Sequence, residues 1–153
     1  MGGVQVTERR TEQDLWHAIK RVDRLKMFTR IESAATVTGA SDTTYRTEAR
    51  HGWIELKTCK TRRDARWVPD HPLSVEQLAW IGRHHKPLWR MFSYVLIGRY
   101  DASARFDAFA LIAPVDAVAL MNGATNATPR PTWLVTDSVM DIMDHLMQYA
   151  QKE

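Results

Sequence analysis

Hydrophobic residues recur along the chain at two spacings, and the spacing predicts which segments form helices and which form strands. Apolar positions three or four residues apart predict four helices, over residues 11–27, 74–85, 114–121 and 136–151. The first helix, with Thr11 as its N-cap, would bury Leu15, Ile19, Val22 and Leu25. Ser74 and Gln77 have the spacing of a capping box at the start of the second helix.

Segments rich in β-branched, aromatic and aliphatic residues predict four strands, over residues 43–49, 52–58, 94–98 and 106–112. Residues 50–52 are the expected hairpin turn between the first two strands, whereas residues 28–35 are ambiguous. Loops are predicted over residues 60–70 and 122–131, which contain Pro and many polar residues. The order of elements predicts a single α/β domain over residues 1–153, with a mixed β-sheet flanked by helices.

The return strand of the first hairpin has two chemically different faces. Successive side chains of a strand point to opposite sides, so Ile54 and Leu56 share one face while Glu55 and Lys57 share the other. If the hairpin forms, Asp42 lies on the neighbouring strand and a second carboxylate approaches. Two carboxylates with open positions suit a hard cation such as Mg²⁺. The alternative is a surface hairpin with an ordinary ion pair worth about 0–1 kcal/mol.

Composition places the chain among soluble globular proteins, since 44% of its residues are hydrophobic and 25% are charged. The single cysteine, Cys59, excludes an internal disulfide framework and suits a reducing compartment. No apolar run approaches the roughly 20 residues that span a bilayer, and residues 1–5 lack the apolar core of a secretion signal. We therefore expect a cytoplasmic protein without a membrane partner, located in the host cytoplasm if it is virus-encoded.

Positive charge is concentrated in the first two thirds of the chain. Residues 1–100 hold 18 Lys and Arg against 11 Asp and Glu, whereas residues 101–153 hold 3 against 7. A positive surface around an acidic site suits a polyanionic substrate, although chance asymmetry on a solvated surface is the alternative. Directly after the strand that carries Glu55 and Lys57 comes a basic group made of Lys60, Arg62, Arg63 and Arg66.

Four stretches of the chain form a recognisable set. They are Arg-Ile-Glu at residues 30–32, Gly-Ala-Ser-Asp at 39–42, Gly-Trp-Ile-Glu-Leu-Lys at 52–57 and Ser-Val-Glu-Gln-Leu-Ala-Trp at 74–80. The set resembles the PD-(D/E)xK nuclease superfamily and is most similar to the small virus-type VRR-NUC nucleases and to Holliday-junction resolvases. Glu-x-Lys alone carries little information, but the preceding Asp and the following helix with Gln and then Trp make the set more specific. Ser41 stands where the family usually has a proline.

The resemblance implies metal-dependent hydrolysis of phosphodiester bonds in DNA. Asp42 and Glu55, with the backbone carbonyl of Leu56, would bind one or two Mg²⁺ ions, for which Mn²⁺ often substitutes. Lys57 would orient the attacking water and stabilise the charge that develops on the phosphate. Glu32 would be a third carboxylate.

Several of these assignments have an alternative. Glu12 on the first helix competes with Glu32, and either acid could be solvated. Gln77 would reach toward the site or the DNA backbone, or cap its helix, or do both. Trp67 would stack on an unpaired base or anchor its loop. The phosphates beside the cleaved bond would be contacted by Lys60, Arg62, Arg63 and Arg66.

Three functions are compatible with these residues. The first is a DNA endonuclease selective for branched or junction DNA, expected to act as a homodimer because a junction has two equivalent strands. Met140, Met143 and Met147 would then offer a dimer face, unless they belong to the core. The second is a nuclease-fold protein that binds nucleic acid without cleaving it. The third is a small basic phage accessory protein that binds no metal at these acids.

Overall fold

In the computed structural model, which describes residues 9–31, 41 and 43–148, the described residues form a six-stranded sheet. The strands follow chain order across the sheet: β1 (Phe28–Arg30), β2 (Thr43–Arg46), β3 (His51–Lys60), β4 (Tyr94–Tyr100), β5 (Phe106–Ile112) and β6 (Leu134–Thr136). Neighbouring strands are antiparallel except β3 and β4, which are parallel. The helices are α1 (Glu12–Val22), α2 (Val75–Arg83), α3 (Pro114–Ala117) and α4 (Val139–Met147). The predicted α/β fold with a mixed sheet and flanking helices is therefore confirmed.

Both predicted N-caps are present, and each forms a reciprocal capping box. The Thr11 hydroxyl accepts the N–H of Asp14 while the Asp14 carboxylate accepts the N–H of Thr11. Ser74 and Gln77 make the same pair of bonds at the start of α2. These bonds satisfy backbone donors that the first helical turn leaves without partners, which is why the starts were predictable from local sequence.

The end of α1 differs from its prediction because a buried carboxylate ends the helix early. α1 stops at Val22, and the carboxylate of Asp23 accepts the N–H groups of Met27 and Phe28 at 2.8 and 2.9 Å. These bonds turn the chain into β1. The assignment of Leu25 to the buried side of the helix was wrong, since that side chain is 69% exposed.

The hairpin between β2 and β3 is present, but its turn comes earlier than predicted. The N–H of Thr47 donates to the carbonyl of Arg50 at 2.8 Å, so His51 and Gly52 already belong to β3. Gly52 is needed for close packing rather than for a turn, because a Cβ there would lie 2.3 Å from the carbonyl oxygen of Phe92. β1 resolves the ambiguous segment, and β6 was not predicted.

The sheet separates two apolar layers, and the alternation of β3 contributes to both. Ile54 and Leu56 face the layer formed with α1 and α4, where Met143 is also buried. Cys59 belongs to the opposite layer, formed with α2 and α3. Odd-numbered positions of β3 therefore lie on the α2 side of the sheet.

Candidate functional site

Glu55 and Lys57 lie on the α2 side of β3, as the alternation predicted. Both side chains are buried, with 10% and 5% exposure, and the Lys57 Nζ is 3.9 Å from the Glu55 Oε1. Their register partners on β4 are Val95 and Ile97, which are fully buried. The pair is thus a charged group within an otherwise apolar layer, and the alternative of an ion pair on a surface hairpin does not describe it.

Gln77 has both roles that the sequence allowed. Its Oε1 accepts the N–H of Ser74 at 3.0 Å, and its Nε2 donates to the Glu55 Oε1 at 2.8 Å. Because the cap occupies the amide oxygen, the amide nitrogen is left to face Glu55. The capping box of α2 therefore holds the Glu55 carboxylate in a defined orientation.

The backbone carbonyl of Leu56 is directed toward the β2 side of β3. Backbone polar groups alternate along a strand, and the N–H groups of His51 and Trp53 donate toward the segment that leads into β4. The backbone N–H and C=O groups of even-numbered residues, including Leu56, therefore point to the opposite side, toward β2. The carbonyl of Thr58 fits this alternation, since it accepts the N–H of Asp70 in the following loop at 2.8 Å.

Two predicted acids, Asp42 and Glu32, lie outside the described residues. The neighbours of Asp42 are described, however. Thr43 is paired with Ile54, immediately before the Glu-x-Lys tripeptide, and marks the end of the β2–β3 pairing. Ser41 is 1% exposed, and its hydroxyl is buried without a hydrogen-bond partner. The chain therefore enters β2 through a buried position beside the strand that carries Glu55.

Glu12, the competitor for the third carboxylate, is on the other side of the sheet. It is the first residue of α1, which packs against the face of β3 that carries Leu56 rather than the face of Glu55. Within residues 9–31, 41 and 43–148, no three His, Cys, Asp or Glu side chains come together as a metal-binding group. The two acids predicted to bind a metal with Glu55, Asp42 and Glu32, both lie outside those ranges.

No known protein family, curated protein or solved structure matches this chain. The resemblance to PD-(D/E)xK nucleases remains a prediction, and the chemistry of β3 and α2 carries the functional conclusion. Over the described residues, no helix has the length and apolar character needed to cross a membrane.

The predicted phosphate-binding residues differ in their environment. Arg62 makes two bonds to the Asp64 carboxylate, at 3.0 and 2.8 Å, and these bonds hold the pKa of Asp64 well below its usual range. Arg63 is exposed, and Arg66 is half-buried. Lys60 ends β3 at an even-numbered position, on the face opposite Glu55. Arg63 is thus exposed to solvent, while Arg62 would have to exchange Asp64 for a phosphate.

Trp67 anchors its loop and is not placed to stack on a base. Its side chain is 2% exposed, and its backbone N–H donates to the backbone carbonyl of Ala127 at 2.9 Å. The guanidinium of Arg99 lies 4.8 Å from the centre of its ring. Of the two interpretations of this tryptophan, the structure supports the loop anchor.

An aromatic group next to Glu55 was not predicted from the sequence. Trp53 has the same parity on β3 as Glu55, and its ring meets Trp80 edge-on at 5.6 Å. The imidazole of His84 stacks on Trp80 at 4.1 Å. The sequence shows that Trp53 shares a strand face with Glu55 and that Trp80 and His84 are four residues apart. Only the packing of α2 against β3 brings these three side chains together.

Proposed function

We propose that the protein is a metal-dependent DNA endonuclease that hydrolyses phosphodiester bonds in branched or junction DNA. The observation that carries the proposal is the buried Glu55–Lys57 pair with the Gln77 amide aimed at the carboxylate. Burying an ion costs several kcal/mol, so a buried acid and base with an aligned donor are more typical of a catalytic site than of a structural one. The resemblance noted in the sequence points to the same residues.

The donor set suits a hard divalent cation. Glu55 and the carbonyl of Leu56 offer oxygen ligands from one strand, and Asp42 and Glu32 would complete the site. Mg²⁺ or Mn²⁺ bound there would polarise the scissile phosphate and lower the pKa of a coordinated water. The protein's own side chains would hold the reacting groups in position and supply charge next to them.

Lys57 would act directly on the reaction, and Gln77 would act through Glu55. The ammonium of Lys57, next to the Glu55 carboxylate, would orient the attacking water and stabilise negative charge that develops on the phosphate. Gln77 would keep the Glu55 carboxylate in place while these charges change. Arg63 and its basic neighbours would bind phosphates next to the cleaved bond, fixing the position of the DNA without reading its sequence.

A homodimer remains part of the proposal, with a revised dimer face. Met143 is 3% exposed and belongs to the core, whereas Met140 and Met147 are 48% and 37% exposed. Together with the exposed Leu25 they line a shallow apolar surface between the end of α1 and α4. Light scattering of the wild type and of Met140→Glu tests this face, and a dimer that survives the substitution would reject it.

The activity is tested by incubating the protein with four-way junctions and linear duplexes in Mg²⁺ or Mn²⁺. Asp42→Asn, Glu55→Gln and Lys57→Met should each reduce junction cleavage by at least a hundredfold. Glu48→Gln is the matched control, because Glu48 is an exposed acid in the same hairpin. It should leave cleavage unchanged.

The outcomes separate the alternative functions. Cleavage that persists in all three site variants would assign the activity to another site or to a contaminant. Junction binding without cleavage by the wild type would identify a nuclease-fold binding protein. A Mn²⁺-dependent rise in melting temperature that Glu55→Gln abolishes would exclude an accessory protein without a metal site.

A further inference from the structure

The connection between α2 and β4 presents an apolar tip to solvent. Residues Pro87–Trp89 form a short 3-10 turn in which Leu88 is 97% exposed and Trp89 is 65% exposed. Within the described ranges, Leu88 is more exposed than any other large hydrophobic side chain. Neither side chain contributes to a core cluster, so the turn gains no packing stability from being apolar.

The turn is held in shape by its backbone. Lys86 and Met91 exchange two backbone hydrogen bonds across its base, at 2.7 and 3.2 Å. The N–H groups of Trp89 and Arg90 donate to the carbonyls of Lys86 and Pro87, both at 2.9 Å. Arg90 closes the turn in the left-handed region, with φ of 56°. The apolar side chains are therefore presented on an ordered support, which reduces the entropy lost on binding.

Basic residues surround the apolar tip. Residues 77–94 contain three basic residues, Arg83, Lys86 and Arg90, and no Asp or Glu. Lys86 and Arg90 flank the turn and are exposed, and the Lys86 Nζ lies 4.7 Å from the Trp89 ring centre. An apolar tip between cations matches a partner with an anionic surface and an apolar interior, and the stacked bases and outer phosphates of DNA have that arrangement.

The turn lies at the end of the sheet that leads to Glu55. His51, the first residue of β3, donates its N–H to the carbonyl of Arg90 and accepts the N–H of Phe92. Glu55 is four residues further along the strand, about 13 Å away at 3.3 Å per residue. Trp53 lies between His51 and Glu55 on β3. Helix α2 carries Gln77 in its first turn, and the chain continues from its last turn into the Pro87–Trp89 turn. The distance of about 13 Å joins Glu55 to the strand residue that the base of the turn contacts.

We propose that the Pro87–Trp89 turn is a wedge that inserts Leu88 and Trp89 into a discontinuity of the DNA base stack, near the bond held at Glu55. Apolar wedges of this kind pay to separate adjacent bases, and that cost is lowest where pairing or stacking is already broken. The wedge would therefore select junctions, mismatches and branch points over continuous duplex. This inference rests on the proposed nuclease function only for the position of the cleaved bond.

The test measures binding separately from cleavage. A four-way junction with 2-aminopurine at the branch, and a continuous duplex with the same label, are titrated with protein in Ca²⁺ without Mg²⁺. Wild type should raise the fluorescence of the junction several-fold, because an unstacked 2-aminopurine is no longer quenched. The variant Leu88→Ala/Trp89→Ala should abolish the rise and weaken junction binding about 5- to 150-fold, the range for losing base stacking on an aromatic side chain.

Two further variants control for structure and for chemistry. Val115→Ala removes another exposed apolar side chain, 80% accessible on α3, and should change neither binding nor fluorescence. Trp89→Phe keeps an aromatic ring and should retain most of the fluorescence rise. Since Leu88 and Trp89 are exposed, their replacement should leave the melting temperature unchanged.

The outcomes distinguish this inference from the proposed function. Normal junction binding and an undiminished fluorescence rise in the double variant would overturn the wedge, even if cleavage is intact. Loss of both signals in a protein that cuts no DNA would support the wedge while rejecting the nuclease. Trp89-dependent binding to vesicles of anionic lipid, with no preference for the junction, would overturn the wedge in favour of a membrane surface.

Discussion

Replacing the buried charges by neutral isosteres should leave the fold intact or stabilise it. The variant is Glu55→Gln/Lys57→Met, in which each new side chain has nearly the shape of the old one. The amide oxygen of the introduced glutamine still accepts the Nε2–H of Gln77, so the α2 contact is kept. The perturbation therefore removes charge while conserving volume and the main hydrogen bond.

The magnitude follows from the geometry of the pair. At 3.9 Å and an effective dielectric constant of about 20, the attraction is about 4 kcal/mol. Burial costs several kcal/mol for each ion, and both residues are buried. The burial cost of the two ions equals or exceeds their attraction, so the double variant should unfold with a free energy equal to wild type or up to about 4 kcal/mol higher. Lys57→Met alone should cost about 3–5 kcal/mol, because it leaves a buried carboxylate without its ammonium.

The assay is urea unfolding in EDTA, followed by far-UV circular dichroism, for wild type, both single variants and the double variant. The double-mutant cycle isolates the coupling between the two side chains. A double variant less stable than wild type by 2 kcal/mol or more would falsify the reasoning, since the pair would then be a net stabiliser. A cost below about 1 kcal/mol for Lys57→Met would show that the contact is too weak to position anything.

Three further predictions test other parts of the molecule. Gln77→Glu keeps the cap acceptor but places a second carboxylate beside that of Glu55, so cleavage should fall at least tenfold. Ser74→Ala removes the hydroxyl cap and should cost about 1 kcal/mol of stability without changing cleavage. Gly52→Ala should lower the free energy of unfolding by about 1–3 kcal/mol, because its Cβ would meet a backbone carbonyl, while Gly82→Ala in α2 has open space and should raise it by about 0.5–1 kcal/mol. Burial raises the pKa of Cys59 to about 12, so the native thiol should resist alkylation at pH 8. The unfolded thiol ionises first as pH rises above about 9, so stability should fall by up to about 1.4 kcal/mol per pH unit from this group, and Cys59→Ala should remove that part of the slope.

The predictions that succeeded depended on local rules. Strand alternation is strictly two-fold, so the common face of Glu55 and Lys57 followed once the strand was recognised. The Ser74–Gln77 capping box spans three residues and needs no distant partner. The contact from Gln77 to Glu55 was anticipated only through the resemblance, because it joins a helix to a strand 22 residues away.

The predictions that failed depended on tertiary contacts. Leu25 fits the helical period, but Asp23 bonds the start of β1 and ends the helix before that position. Other features were not predicted at all. The exposure of Leu88 and Trp89 runs against their hydrophobicity and depends on the backbone of their turn. The ion pair between Arg62 and Asp64 is set by side-chain conformation, which composition does not reveal.

The parallel pairing of β3 with β4 affects the order in which the chain folds. This parallel pair divides the sheet into two halves, β1–β3 and β4–β6. Within each half, strands that follow one another in the chain are antiparallel neighbours. The β2–β3 and β4–β5 pairings close loops of four and five residues and should form early, whereas β3 and β4 must be joined across α2 and more than 30 intervening residues. Glu55 and Lys57 lie on this late seam. A newly made chain should therefore hold both charged side chains in water until the two halves of the sheet have joined.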